Sequence, residues 1–156
     1  MKTSFAPSHT DPEQSVLASA QPARAPLAPL LAGARARGVA DGLELVGAAA
    51  ALLDEHGDVL HVNARALCMM GEGLFVSGQR LRAHGQDGDD SLAAAIEASL
   101  RHRVVSRVAV AGADGRPIAT VRIVPVIPEG DEAFQLLRAV AIFEAPGERT
   151  TLSGLN

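Results

Sequence analysis

Tryptophan and tyrosine are absent from this chain of 156 residues, and phenylalanine occurs only four times. A core must therefore be assembled from Ala, Val, Leu and Ile, although 47% of the residues are apolar. The scarcity of rings also removes the stacking platforms that usually hold single-stranded nucleic acid. Cysteine occurs once, as Cys68, so no internal disulfide and no multi-cysteine metal site can form. That usage fits a reducing compartment, and the expected location is the cytoplasm. No apolar run approaches the roughly 20 residues that span a bilayer, so no membrane partner is expected. After Lys2 the chain does not read as a secretory signal, because Pro7, Asp11, Pro12 and Glu13 interrupt it.

What is present is unevenly distributed. The formal net charge is −4. Residues 1–40 hold Lys2, Arg24, Arg35 and Arg37 against Asp11 and Glu13, four minus two, or +2; the remainder therefore carries −6. A portion this acidic is a poor counterion for phosphate, so it is not expected to bind DNA directly. Almost every basic residue is arginine and alanine is abundant, which fits a bacterial genome of high GC content. The length suits one domain with a sizeable core.

Residues 1–26 mix Pro, Ser, Ala, Gln and charges without periodicity and read as a tail. In residues 27–39, Leu27, Leu30, Leu31 and Ala34 share one helical face, so a short N-terminal helix is expected; the alternative is more tail. Four consecutive alanines at 48–51 are ordinarily a helix signal. Here they run through Leu52 and Leu53 into the turn Asp54-Glu55-His56-Gly57-Asp58 and the apolar Val59-Leu60-His61-Val62. The second half of the run is therefore expected to be a buried strand, paired with 59–62 in a hairpin. Asn63 is a good N-cap, and Gly71 and Gly73 are good stops. Between them Ala64, Leu67 and Cys68 fall at i, i+3 and i+4, and this face is expected to point inward.

Leu74 to Leu81 holds a strand or a bent loop around Gly78. The acidic stretch 86–91 then launches the clearest helix, where Leu92, Ile96 and Leu100 recur every four residues. Its acids at the start and Arg101, His102 and Arg103 at the end suit the helix dipole. Val104 to Val110 alternates, Gly112 to Gly115 turns, and Ile118 to Ile127 sets Ala119, Val121 and Ile123 opposite Thr120 and Arg122. Pro125 and Pro128 point to an edge or a bend. Glu129 to Glu132 is a polar loop, Leu136 to Phe143 the last strand, and 147–156 a tail or linker. The expected fold is α+β, in the order β-β-α-α-β-β-β.

That order, with DEHGDVLHVN leading into the first helix, resembles a PAS domain. More narrowly, Gly71 to Leu74, Gly78 to Ala83 and Asp87 to Leu100 are similar to PAS-like sensor regions of bacterial LuxR-type transcription regulators. ADGRPIATVRIVPV and AVAIFEAP match that family's final two strands. The resemblance covers residues 40–146 and implies a five-stranded antiparallel sheet with helices packed on one face. It also implies a non-catalytic sensory and dimerisation domain, a homodimer that senses a small molecule or a partner. DNA would be reached only through a C-terminal helix-turn-helix, and none is readable after Pro146, so a sensor piece of a longer protein is expected. The stretch Leu27 to Ala36 would then pack across a partner subunit.

Should a cavity open between helices and sheet, Leu67, Met70, Leu74, Leu81, Leu92 and Ile96 would line its helical side. Val121, Ile123, Ala139 and Ala141 would be its floor. The same small residues equally permit close packing with no cavity. The alternative function is a small enzyme or redox sensor using Cys68. A reactive thiol needs a cation or a helix N-terminus beside it. Mid-helix among Leu67, Met69 and Met70, a buried, inert thiol is the expectation. The Asn-Cys-Arg context of flavin-reactive PAS domains is missing, so no flavin chemistry is expected.

Five histidines without paired spacing do not make a metal site. His84 is the residue that would ligate haem in a PAS-like fold, but an ordinary surface or cap histidine is the expectation, because imidazole at a helix or loop end needs no cofactor to explain it. Asp54, His56 and Asp58 are explained by turn chemistry, and Asp89 and Asp90 by helix capping. No nucleophile elbow, phosphate loop or zinc signature is present. No catalytic residue, metal or cofactor is expected.

Overall fold

The alanine run enters a strand rather than a helix because both of its faces are covered. The computed structural model describes residues 27–127 and 136–147, with side chains from residue 33 onward. In it α1 spans Leu27–Leu45 and β1 spans Ala49–Leu53, all five β1 residues being buried. A strand covered on both sides reads as an unbroken apolar run rather than an alternation. It turns through Asp54–Asp58 into β2 (Val59–Val62) as an antiparallel hairpin. Asp54 Oδ1 accepts from the backbone N–H groups of His56 and Asp58, both at 2.8 Å. Gly57 takes φ +81, and a Cβ there would stand 3.0 Å from Ile96 Cγ2.

Next come α2 (Ala64–Met69), a hairpin of β3 (Leu74–Ser77) and β4 (Arg80–Ala83), and α3 (Gln86–His102). β5 (Ser106–Ala111), β6 (Pro117–Pro125) and β7 (Ala139–Glu144) complete the order. The main sheet runs β2-β1-β7-β6-β5 with every neighbouring pair antiparallel. On one face Leu53, Val121, Ile123, Ala141 and Phe143 pack with Leu92 and Ile96 of α3. On the other, Ala50, Leu52 and Val140 meet Ala36 and Ala40 of α1.

Helices therefore cover both faces, where the resemblance implied one. The cause is an apolar stripe, Ala36, Val39, Ala40 and Leu43, which continues past residue 39 and needs a surface to bury it. The helix accordingly runs six residues beyond its expected end. Ala36 is buried against the chain's own sheet, while Gly33 to Arg35 are exposed.

Three further expectations change. The segment around Gly78 is a two-residue hairpin, with Gly78 and Gln79 both at positive φ, +57 and +62. That turn matches the right-handed twist of the strands it joins. β6 is an interior strand, and Pro125 stands at its end rather than marking an edge, while Pro128 lies outside the described residues. On α2 the stripe Ala64, Leu67, Cys68 faces solvent, and Ala66 is the buried residue. The stretches 1–26 and 148–156 and the Glu129–Glu132 loop lie outside the described residues. No helix among the described residues is long and apolar enough to cross a membrane.

The rotation of α2 is set by Asn63, which is 2% exposed. Its Oδ1 accepts from Ala66 N at 2.9 Å, the expected cap, and also from Ala50 N at 3.0 Å. Its Nδ2 donates to Ala48 O at 2.8 Å and Ala40 O at 3.3 Å. Asn63→Ala removes a cap worth ~1 kcal/mol and orphans buried backbone groups at ~1–3 kcal/mol each. Urea unfolding is expected to show a loss of about 3 kcal/mol or more at unchanged slope. A loss below about 1 kcal/mol would reduce Asn63 to an ordinary helix cap.

Candidate functional site

The ten residues expected to line a cavity separate into three environments. Leu74, Leu81, Leu92, Ile96, Val121, Ile123, Ala139 and Ala141 all belong to one packed cluster on the α3 side of the sheet. Met70 is partly buried against that cluster. Leu67 is 58% exposed and points away, because the Asn63 cap directs Ala66 inward. Small side chains here serve close packing: Leu74, Leu92, Val121, Ile123, Ala139 and Ala141 are all at 0% exposure.

A concavity lies beside that cluster, between the Glu55–Gly57 turn, β4 and one side of α3. It is a groove of about 590 Å³, within the range of about 300–1,000 Å³ typical of small-molecule sites. Leu81, Ala93, Ile96 and Leu100 form an apolar floor, and of the ten expected residues only Leu81 and Ile96 contribute. The rim is charged. Arg80 Nε lies 3.3 Å from Asp58 Oδ1, and Arg101 pairs with Glu97 one turn before it.

Arg82 and Asp89 make the best-ordered contact. Arg82 Nε donates to Asp89 Oδ1 at 2.9 Å, and a second guanidinium nitrogen meets the other oxygen. Asp89 Oδ1 also accepts from Ala83 N at 3.0 Å. Asp89 therefore ties α3 to β4 and is not a helix cap; the N-cap position belongs to Gly85, with no side-chain bond. The Arg82 hydrogen bond, then the Ala83 N–H, hold the Asp89 carboxyl below its ordinary value. The same contact raises Arg82. The signal in the sequence was the Arg80-Leu81-Arg82 alternation facing the acids of 87–90, a pairing that only tertiary structure brings together.

The lining includes no serine, threonine, tyrosine or cysteine, and its imidazole, His56, sits 3.5 Å from Glu55 in a largely exposed turn. Paired charges around an apolar floor can hold an amphipathic molecule and orient it. Cys68 is exposed rather than buried, on the solvent side of α2. His84 is exposed, and its backbone N–H bonds Gly73 O at 2.8 Å. Among the described residues no group of three His, Cys, Asp or Glu is placed to hold a metal ion.

The Asp89 shift carries a pH dependence of known sign. Its folded value lies below its unfolded one, so its contribution is present above the ordinary carboxylate value of 3.8. It is lost as pH falls through the lowered value. Urea midpoints measured across acid pH are expected to fall less steeply in Asp89→Asn than in the parent chain; parallel curves would remove Asp89 from the account. Compared with known proteins, the chain matches no protein-family model and no curated sequence.

Proposed function

We propose that this chain is a non-catalytic sensory and dimerisation module of the PAS kind, as in bacterial LuxR-type transcription regulators. It would bind a small molecule or partner in the cytoplasm and relay that event to a DNA-binding domain outside this sequence. The observation that carries the reading is the sheet. Two strands, an insert of α2, the β3–β4 hairpin and α3, then three strands build one antiparallel sheet of five. That agrees with what the resemblance implies. The groove over α3 is a better candidate ligand site than the packed interior, because its apolar floor is open to entry.

Native mass spectrometry of the full chain, purified from a bacterial host, is expected to show a dimer. Part of the population is expected to carry the added mass of a retained small molecule. A compound at 100 times its dissociation constant would add about 2.7 kcal/mol to stability and raise Tm by several degrees. A monomer without added mass, whose Tm no compound shifts, overturns the proposal.

The exposure of Cys68 keeps a second reading, a thiol redox sensor, open to direct measurement. Under the sensory proposal Cys68 is an ordinary surface thiol and is expected to alkylate at the rate of a free cysteine. A rate about tenfold faster at neutral pH, with loss of dimer on peroxide treatment, would favour redox sensing instead.

A further inference from the structure

Both faces of the main sheet are covered near β1 and β7, but its two edges differ. β2 is met at its start by the second hairpin: Asp58 bridges to Arg80 of β4, and Val59 N donates to Gln79 O at 2.6 Å. β5 ends the sheet, and among the described residues nothing pairs beyond it. Its six residues, Ser106–Ala111, contain no proline and no lysine, and Val104 and Val105 leading into it are 47% and 57% exposed. Unpaired N–H and C=O groups on an apolar edge of this kind are a template for another strand.

We infer that β5 pairs antiparallel with β5 of a second copy, joining two sheets of five strands into one. The inference rests on the dimer in the proposed function and names its interface. A two-fold contact of β5 with β5 closes on itself, whereas β5 on β2 would be head-to-tail and open-ended. The β3–β4 hairpin, meeting β2 at Val59, also obstructs the start of that second pairing.

Charge selects the register. Arg107 is the one charge on β5, and it lies opposite Arg122, whose carboxylate partner is Glu144 at 3.2 Å. A two-fold axis through Arg107 would set two arginines face to face. Centring the pairing on Ala109 instead sets Arg107 opposite Ala111, and Val108 opposite Val110 on the α3 side. Ala109 is exposed on the other face and meets its own symmetry mate. Strand pairing alone covers little area, so the dimer is expected to dissociate on dilution.

Ala109→Glu tests this, because it adds like charges only where two copies meet. Light scattering across a concentration series is expected to show association weakened roughly tenfold or more. Ala94→Glu, on an exposed turn of α3, is expected to leave association unchanged. In a Cys68→Ser background, Ala109→Cys is expected to form a disulfide-linked dimer under mild oxidation, and Ala111→Cys is not. A dimer undiminished by Ala109→Glu, with no Ala109→Cys cross-link, overturns the β5 interface while the dimer stands. A parent chain that is monomeric at every concentration overturns the dimer reading as well.

Discussion

The side-chain amide of Asn63 is the point at which three weakly held elements become one. Helix α2 has six residues, too few to persist on propensity. The stripe of α1 buries the small Ala36 and Ala40, with Val39 and Leu43 packed beside them. To that apolar contact Asn63 adds four hydrogen bonds: it accepts from Ala66 N of α2 and Ala50 N of β1, and donates to Ala48 O just before β1 and to Ala40 O of α1. A buried amide stabilises only when all of its partners are in place, so the three elements are set together. The outward rotation of Leu67 and Cys68 follows directly.

The β3–β4 hairpin depends on a different kind of restraint. Two short strands are marginal alone. Leu74 and Leu81, at 0% and 4% exposure, supply the burial that holds them. Exposed ion pairs contribute little energy, but they choose where such a hairpin sits. Arg80 meets Asp58 at one end of β4, and Arg82 meets Asp89 toward the other. Asp89 adds a bond to the backbone of Ala83, which sets the spacing of helix and strand. The groove is the space left between elements positioned by these pairs.

Much of this was legible residue by residue. Turn chemistry at Asp54–Asp58 overrode the helix propensity of four alanines, and the strand lies where that argument put it. The Leu92, Ile96 stripe and the alternation of Ala119, Val121 and Ile123 gave the interior face. What could not be read was the direction in which a short amphipathic segment turns. Ala64, Leu67 and Cys68 form a genuine stripe, but in six residues a single side-chain bond outweighs it. Likewise Asp89 has the composition of a cap, and only the approach of β4 gives it a better donor. The helical face read through Ala34 is not the one that docks: Ala34 is exposed, and Ala36, Val39, Ala40 and Leu43 lie on the opposite side of α1, which hid the covering of the second face.

Covering both faces leaves this sheet two places for recognition, the groove and the β5 edge, and they bear differently on a sensory role. The groove touches the β1–β2 turn at Gly57, where a Cβ would already crowd Ile96. From that turn β1 runs back to Ala50, then through Asn63 to Ala40 of α1. A relay requires an element with two arrangements that the binding site can bias. Helix α1 is a candidate for that element: it docks through Ala36, Val39, Ala40 and Leu43 and the bond from Asn63 to Ala40. A ligand shifts it only by its differential affinity for the docked and undocked arrangements. The β5 edge lies at the far side of the sheet from β1 and β2, where pairing with a second copy would leave α1 free to respond.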